Sequence, residues 1–150
     1  MTTAISELED LKLSVTREIR VDAPIEVTFD ALLEQLGPGN ERPNGEAMPM
    51  KLEAWPGGRW YRDLGDRNGH FWATVQAINR PTLLELCGPL FMSYPVSNNV
   101  QYRLRIDGDG TVIEFHHLAL GLIEEPHRKG VVTGWNYILE QAKKRAEHTK

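Results

Sequence analysis

The sequence predicts an α+β protein, a curved antiparallel sheet in the order strand, helix, six strands, helix, wrapped around a long C-terminal helix. Three observations predict it. Amphipathic segments at 24–36 and 126–148 bracket a stretch that reads as short strands and turns. The joints between those strands are short, and parallel neighbours would need crossovers of about a dozen residues or more. The clearest strands alternate one apolar with one polar face, as expected of a sheet that is dry on one side only. A curved sheet closed by a helix leaves a hollow, and small-molecule sites form in apolar concavities of this kind.

In chain order, Ser6-Glu7-Leu8-Glu9 matches a capping box, within a lead-in over 1–12 that otherwise lacks periodicity. Leu13, Val15, Ile19 and Val21 then alternate with polar residues, the period of a half-buried strand. Arg17 interrupts the apolar face, as a ligand anchor in a cavity or as an edge arginine reaching water. Asp22-Ala23-Pro24 starts a helix with an acid to meet orphan backbone donors and a proline in the first turn. Ile25, Phe29, Leu32, Leu33 and Leu36 share one face of it. Gly37-Pro38-Gly39-Asn40 stops the helix, and 37–49 reads as a loop of unusual length, of the kind that is often functional.

Strands are expected at 50–54, 59–64, 71–79, 82–88, 96–107 and 111–119. They are joined by Trp55-Pro56-Gly57-Gly58, Gly65-Asp66-Arg67-Asn68-Gly69, Arg80-Pro81 and Asp107-Gly108-Asp109-Gly110. In the fifth of these strands Val100, Tyr102, Leu104 and Ile106 oppose Gln101, Arg103 and Arg105. The next places Ile113, Phe115 and His117 on one face. The last helix carries Val131, Trp135, Ile138, Leu139 and Ala142 as its stripe. Gly134 within it is a poor helix former, which suggests that the helix approaches the sheet closely there. Residues 1–150 thus read as one domain with a folded core over 13–148.

Composition narrows the function. A net charge of −4 disfavours nucleic acid, because backbone phosphates reward clustered Lys and Arg. Lys143-Lys144-Arg145 suits the negative end of a helix dipole. The single cysteine, Cys87, precludes an intrachain disulfide. With no apolar leader or spanning run, a cytoplasmic setting is expected. No nucleophile elbow, P-loop or dinucleotide fingerprint occurs. His116 and His117 point to opposite faces of a strand and no Cys-rich cluster exists, so neither a metal nor a cofactor is expected.

The element order, with several short motifs, resembles the START-like (SRPBCC, birch-pollen-allergen-like) superfamily, whose fold is called helix-grip. The motifs look most like the branch of the heat-shock-chaperone ATPase activator. They are Arg20 through Leu32, similar to the family's "aP…V…A" opening; Gly57-Gly58-Arg59-Trp60; Ala73-Thr74-Val75 through Arg80-Pro81-Thr82-Leu83; Gly110 through His117, similar to "G-T-x-h-x-h-x-H"; and Gly134-Trp135. Ala73 stands where the family usually has glycine. The segment after Leu36 lacks the usual second short helix, which often forms the cavity rim.

The resemblance implies a cavity between sheet and last helix. The aromatic set, Trp55, Trp60, Trp72, Trp135, Tyr61, Tyr94, Tyr102, Phe71, Phe91 and Phe115, suits a hydrophobic ligand with a few polar groups, or simply the core. The expected ligand-binding residues are Trp60, Phe71, Tyr102, Leu104, Phe115, His117, Trp135 and Leu139, with the last helix and the 37–49 loop gating entry. His117 ends an apolar face at the family's histidine position, as a proton-transfer group or as a hydrogen-bonded core residue. The leading expectation is binding of a small hydrophobic molecule, a lipid or aromatic metabolite. A cyclase- or dehydratase-type enzyme using a pocket His or Tyr is the second. A chaperone-associated interaction module is the third.

Overall fold

A computed structural model describes residues 8–149. Ser6 and Glu7 of the capping-box match lie outside the described residues, and Leu8–Leu11 forms one 3-10 turn. It leads into β1, Lys12–Val21, which buries Leu13, Val15 and Val21. Arg17 shares their parity but stays exposed, and its Nε donates to Asn136 Oδ1 at 3.0 Å. It therefore skirts the closing helix instead of entering a cavity.

Helix α1 spans Ile25–Leu36 and buries Ile25, Phe29, Leu32 and Leu36. Its N-cap is Pro24, without a side-chain cap bond. Asp22, from which the cap was expected, sits two positions before that N-cap, and its backbone N–H donates to Glu147 Oε2 at 2.8 Å. The 37–49 segment is not an open loop. Met48 N–H donates to the Asn40 carbonyl at 2.9 Å, and Arg42 N–H to that of Glu46 at 2.8 Å. A bridge between Glu41 and Ala47 and an Arg42–Glu46 ion pair at 3.2 Å complete a small hairpin.

Strand β2 shrinks to Lys51–Leu52. Beyond it the Glu53 carboxylate accepts from Arg59 Nε at 2.8 Å and from the guanidinium again at 2.7 Å, which holds its pKa down at about 2. Gly58 lets the chain double back here, because a side-chain carbon at that position would collide with the Glu53 carbonyl. Strands β3, Arg59–Gly65, and β4, Asn68–Asn79, are joined by Asp66 and Arg67. Both have positive φ, 53° and 64°, the signature of the two-residue turn that matches sheet twist. Strand β4 thus starts earlier than the sequence suggested.

Three strands follow: β5, Leu83–Gly88, β6, Val96–Asp107, and β7, Gly110–Gly121. The order across the sheet is β1-β7-β6-β5-β4-β3-β2, and every pair is antiparallel. Ile106 follows the alternation of β6 yet is 68% exposed, at the hairpin end of the sheet where nothing covers it. Helix α2, Glu125–Thr149, buries Val131, Trp135, Leu139, Ala142 and Ala146. Its first turns are tied down by Arg128, which donates to the Lys12 and Asp10 carbonyls at 2.7 and 3.0 Å. Its last turns pack on α1, where Arg145 donates to Gln35 Oε1 at 3.2 Å.

Candidate functional site

The centre of the concave face is filled. Tyr102 on β6, Phe115 on β7 and Trp135 on α2 pack as successive tilted pairs, with ring centroids 5.0 Å apart at both steps. Leu104 and Leu139 are buried beside them. Trp60 is also fully buried, and its indole N–H donates to the Leu36 carbonyl at 2.7 Å, tying β3 to the end of α1.

A cavity of about 330 Å³ lies to one side of this stack. Its helical wall is Val131, Gly134, Trp135 and Ile138 of α2. The sheet side contributes Trp72 of β4, and Phe91 enters from the connection between β5 and β6. Asn40 through Pro43, with Met48, close it from the 37–49 hairpin. Apart from Asn40, Glu41 and Arg42 at one end, these side chains are apolar. Trp72 packs edge-on against Trp60 at 5.0 Å and against Phe91 at 5.6 Å, and Phe91 meets the His127 ring at 5.2 Å. His127 in turn stacks on Tyr94 and shares a 2.8 Å hydrogen bond with its hydroxyl. One wall is thus an aromatic row braced from both ends.

Behind Trp135 lies a closed polar network. The indole N–H can only donate, so His117 Nδ1, 2.9 Å away, accepts. The proton of the neutral imidazole must then sit on Nε2, which donates to Asn98 Oδ1 at 2.7 Å. Asn98 Nδ2 donates onward to the Gly88 and Pro89 carbonyls at 3.1 and 3.3 Å. Burial, with a smaller contribution from neighbouring His116, pushes the imidazole down from 6.5 to about 4. His117 is therefore neutral at physiological pH with both ring nitrogens occupied by protein, and it does not line the cavity.

Of the expected ligand-binding residues, Trp135 lines the cavity. Trp60, Tyr102, Leu104, Phe115, His117 and Leu139 belong to the packed core next to it. Phe71 is 47% exposed and lies outside. The sequence named Trp72 and Phe91 as aromatics, and Asn40 as part of the helix stop and of the gating 37–49 loop, but placed none of the three among the ligand-binding residues. Gly134 has a role opposite to the one expected. A side-chain carbon there would meet nothing within 4 Å, so the missing side chain enlarges the cavity and does not admit a close neighbour. Two buried polar atoms nearby have no partner, Asn40 Oδ1 and the Tyr102 hydroxyl. Burial pushes that phenol's pKa up, so it stays protonated. Among the described residues no group of His, Cys, Asp or Glu could hold a metal ion, and no helix is long and apolar enough to cross a membrane.

No family model matches the chain, and no curated protein matches it. Solved structures do. An uncharacterised protein from Rhizobium leguminosarum superposes with a TM-score of 0.71 at 17% identity, covering 91% of this chain and 95% of the other. The di-domain ARO/CYC protein StfQ of the steffimycin biosynthetic pathway gives 0.69 at 14% identity, covering 97% of this chain and 54% of that one. Ara h 8.0201 gives 0.66 at 11% identity, covering 90% and 97%. At these identities the likeness establishes architecture, which is the helix-grip fold of the birch-pollen-allergen-like proteins.

Proposed function

We propose that this chain binds a small hydrophobic molecule, a lipid fragment or an aromatic metabolite, in the cavity between the sheet, α2 and the 37–49 hairpin. One observation carries the reading. A cavity of about 330 Å³ walled by Trp72, Phe91, Val131, Trp135, Ile138 and Met48 persists beside a core that is otherwise fully packed. The volume falls within the range of about 300–1,000 Å³ typical of small-molecule pockets. Removing apolar ligand surface from water contributes about 25 cal/mol per Å² before ordering costs are met. Neighbours of the same fold that include a biosynthetic ARO/CYC protein support a ligand-holding use. A cytoplasmic setting, with Cys87 unpaired, is part of the reading.

The enzyme alternative was drawn on a pocket His or Tyr, and His117 and Tyr102 both lie outside the cavity wall. The interaction-module alternative rests on motif resemblance to the chaperone-activator branch. Titrating the protein with a panel of aromatic metabolites and fatty acids tests the proposal through intrinsic fluorescence, because Trp72 and Trp135 both line the cavity. Saturable quenching or a blue shift is expected with some member. A response that survives unchanged in Gly134→Leu, whose side chain would occupy the cavity, would place binding elsewhere.

A further inference from the structure

The aromatic row that walls the cavity borders a second space. A more open cleft of about 420 Å³ adjoins it at Phe91, lined by Gly69, His70 and Phe71 at the start of β4 and by the connection from Pro89 to Tyr94. Among the described residues, Phe91 alone lines both this cleft and the cavity. The two spaces differ in character. The cavity is apolar except at its hairpin end, whereas His70, Ser93 and Tyr94 bring polar groups to the cleft.

The chain holds Phe91 there firmly. Leu90, just before it, is buried and donates its N–H to the Trp72 carbonyl at 2.8 Å. Its φ of 56° lies in the left-handed region, where a leucine is an outlier that persists only when its surroundings over-determine it. Met92 N–H donates to the Pro89 carbonyl at 3.1 Å, and Asn98 grips the Gly88 and Pro89 carbonyls. The ring is held as well, edge-on to Trp72 at 5.6 Å and to the His127 ring at 5.2 Å. Backbone outliers and β-bulges both gather beside ligand sites. Here the two meet, because Trp72, which Leu90 binds, is the extra residue where the pairing of β3 with β4 slips.

Resting on the cavity's use as a small-molecule site, we propose that Phe91 is its specificity-determining residue, a partition between cavity and cleft that sets the upper size of the ligand. At about 30 Å³ for each water-sized group, 330 Å³ has room for about eleven non-hydrogen atoms, a two-ring body such as naphthol. A larger flat body has to pass Phe91 and extend into the cleft. The backbone that carries the ring is fixed, so forcing such a body in resembles overpacking a core. The ligand class selected is therefore a compact aromatic of one or two fused rings, and the cleft beside Phe71 becomes usable only when the Phe91 ring is removed.

The test compares naphthol with the larger hydroxypyrene by isothermal titration calorimetry of the wild type, Phe91→Ala and Phe91→Leu. In the wild type naphthol is expected to bind at least about tenfold more tightly, because the larger body does not fit without strain. In Phe91→Ala hydroxypyrene should gain at least about tenfold, through apolar surface newly buried in the cleft, while naphthol gains nothing. Phe91→Leu should shift the preference in the same direction by less. Adding Phe71→Ala to Phe91→Ala should take back part of the hydroxypyrene gain, since Phe71 lines the cleft and not the cavity. A gain that survives this second change in full overturns the proposal, as does a size preference equal in the wild type and both Phe91 variants. The wild-type comparison stands alone should the variants fail to fold. Binding of neither probe by any of these proteins overturns the reading of the cavity itself, and this assignment with it. Wild-type binding of both probes without discrimination overturns only the role of Phe91.

Discussion

Replacing Gly134 by alanine separates two readings of the same residue by the sign of one measurement. Glycine in the interior of a helix costs about 0.8–1.0 kcal/mol relative to alanine. Gly134 sits in the middle of α2, Glu125–Thr149, so the whole of that cost applies. Were the glycine needed for close approach to the sheet, an added methyl would clash, and overpacking typically costs about 1–3 kcal/mol. The structure instead leaves open space, with no atom within 4 Å of the position that a side-chain carbon would take. Gly134→Ala is therefore expected to stabilise the protein by up to about 1 kcal/mol, raising the melting temperature by about 2–4 °C in a chain of this size.

The assay is thermal and urea unfolding of both proteins, in which the urea midpoint should rise while its slope stays unchanged. Gly134→Leu extends the series. Its side chain would enter the cavity beside Val131, Trp135 and Ile138, so stability should hold or rise further while affinity for any cavity ligand falls. A gain in stability accompanied by a loss of function is the expected pattern at a position kept small for a ligand. A destabilised alanine variant would refute the reasoning, because it would mean that the space beside α2 is not available.

Two further outcomes follow from buried polar groups. His117 has a folded pKa of about 4 against 6.5, so the unfolded chain takes up its proton first. Its contribution is complete above about pH 6.5 and is lost as pH falls from there towards 4; at 1.36 kcal/mol per unit the loss is about 3 kcal/mol. Urea titrations at both ends of that window should show His117→Gln losing less stability than the wild type by about that amount, and equal losses would contradict it. Tyr102→Phe deletes a hydroxyl that is buried without a partner. Because such burial costs about 1–3 kcal/mol, the variant should be at least as stable as the parent by chemical denaturation, whereas a loss of similar size would show that the hydroxyl is satisfied.

The fold was legible where periodicity is clean. Val100, Tyr102 and Leu104 are buried against an exposed Arg103 and Arg105 because a strand's period of two leaves no other arrangement once one face is dry. The stripe of α2 was equally plain, since Val131, Trp135, Leu139 and Ala142 can face one way only on a helix. The cavity was less legible, for a specific reason. By simple alternation with Ala73 and Val75, Phe71 should point inward and Trp72 outward. The pairing of β3 with β4 slips between Trp60↔Ala73 and Tyr61↔Phe71, leaving Trp72 as an extra residue. Such a bulge turns neighbouring side chains from their expected faces, so Trp72 lines the cavity and Phe71 is exposed. No local signal in the sequence marks it. The 37–49 segment escaped for another reason, since its hairpin is held by backbone bonds and one ion pair and has no periodicity to read.

The cavity walls do not hold their positions independently. Trp135, on α2, is fixed by its bond to His117, and His117 by its bond to Asn98. Asn98 grips the carbonyls of Gly88 and Pro89, where the chain leaves β5 for the connection that carries Phe91. Two walls of the cavity are thus linked through one buried chain of hydrogen bonds. The third wall, at Asn40, is anchored separately to the end of α1. A network whose every member is satisfied in a low-dielectric interior rigidifies what it joins. Such rigidity explains how the void stays open next to a core that could otherwise collapse into it. The physical role of His117 follows from the same arrangement. Its two ring nitrogens, one accepting and one donating, make it a neutral connector between helix and sheet, and a proton taken up at Nδ1 would break the link at the tryptophan that the cavity shares.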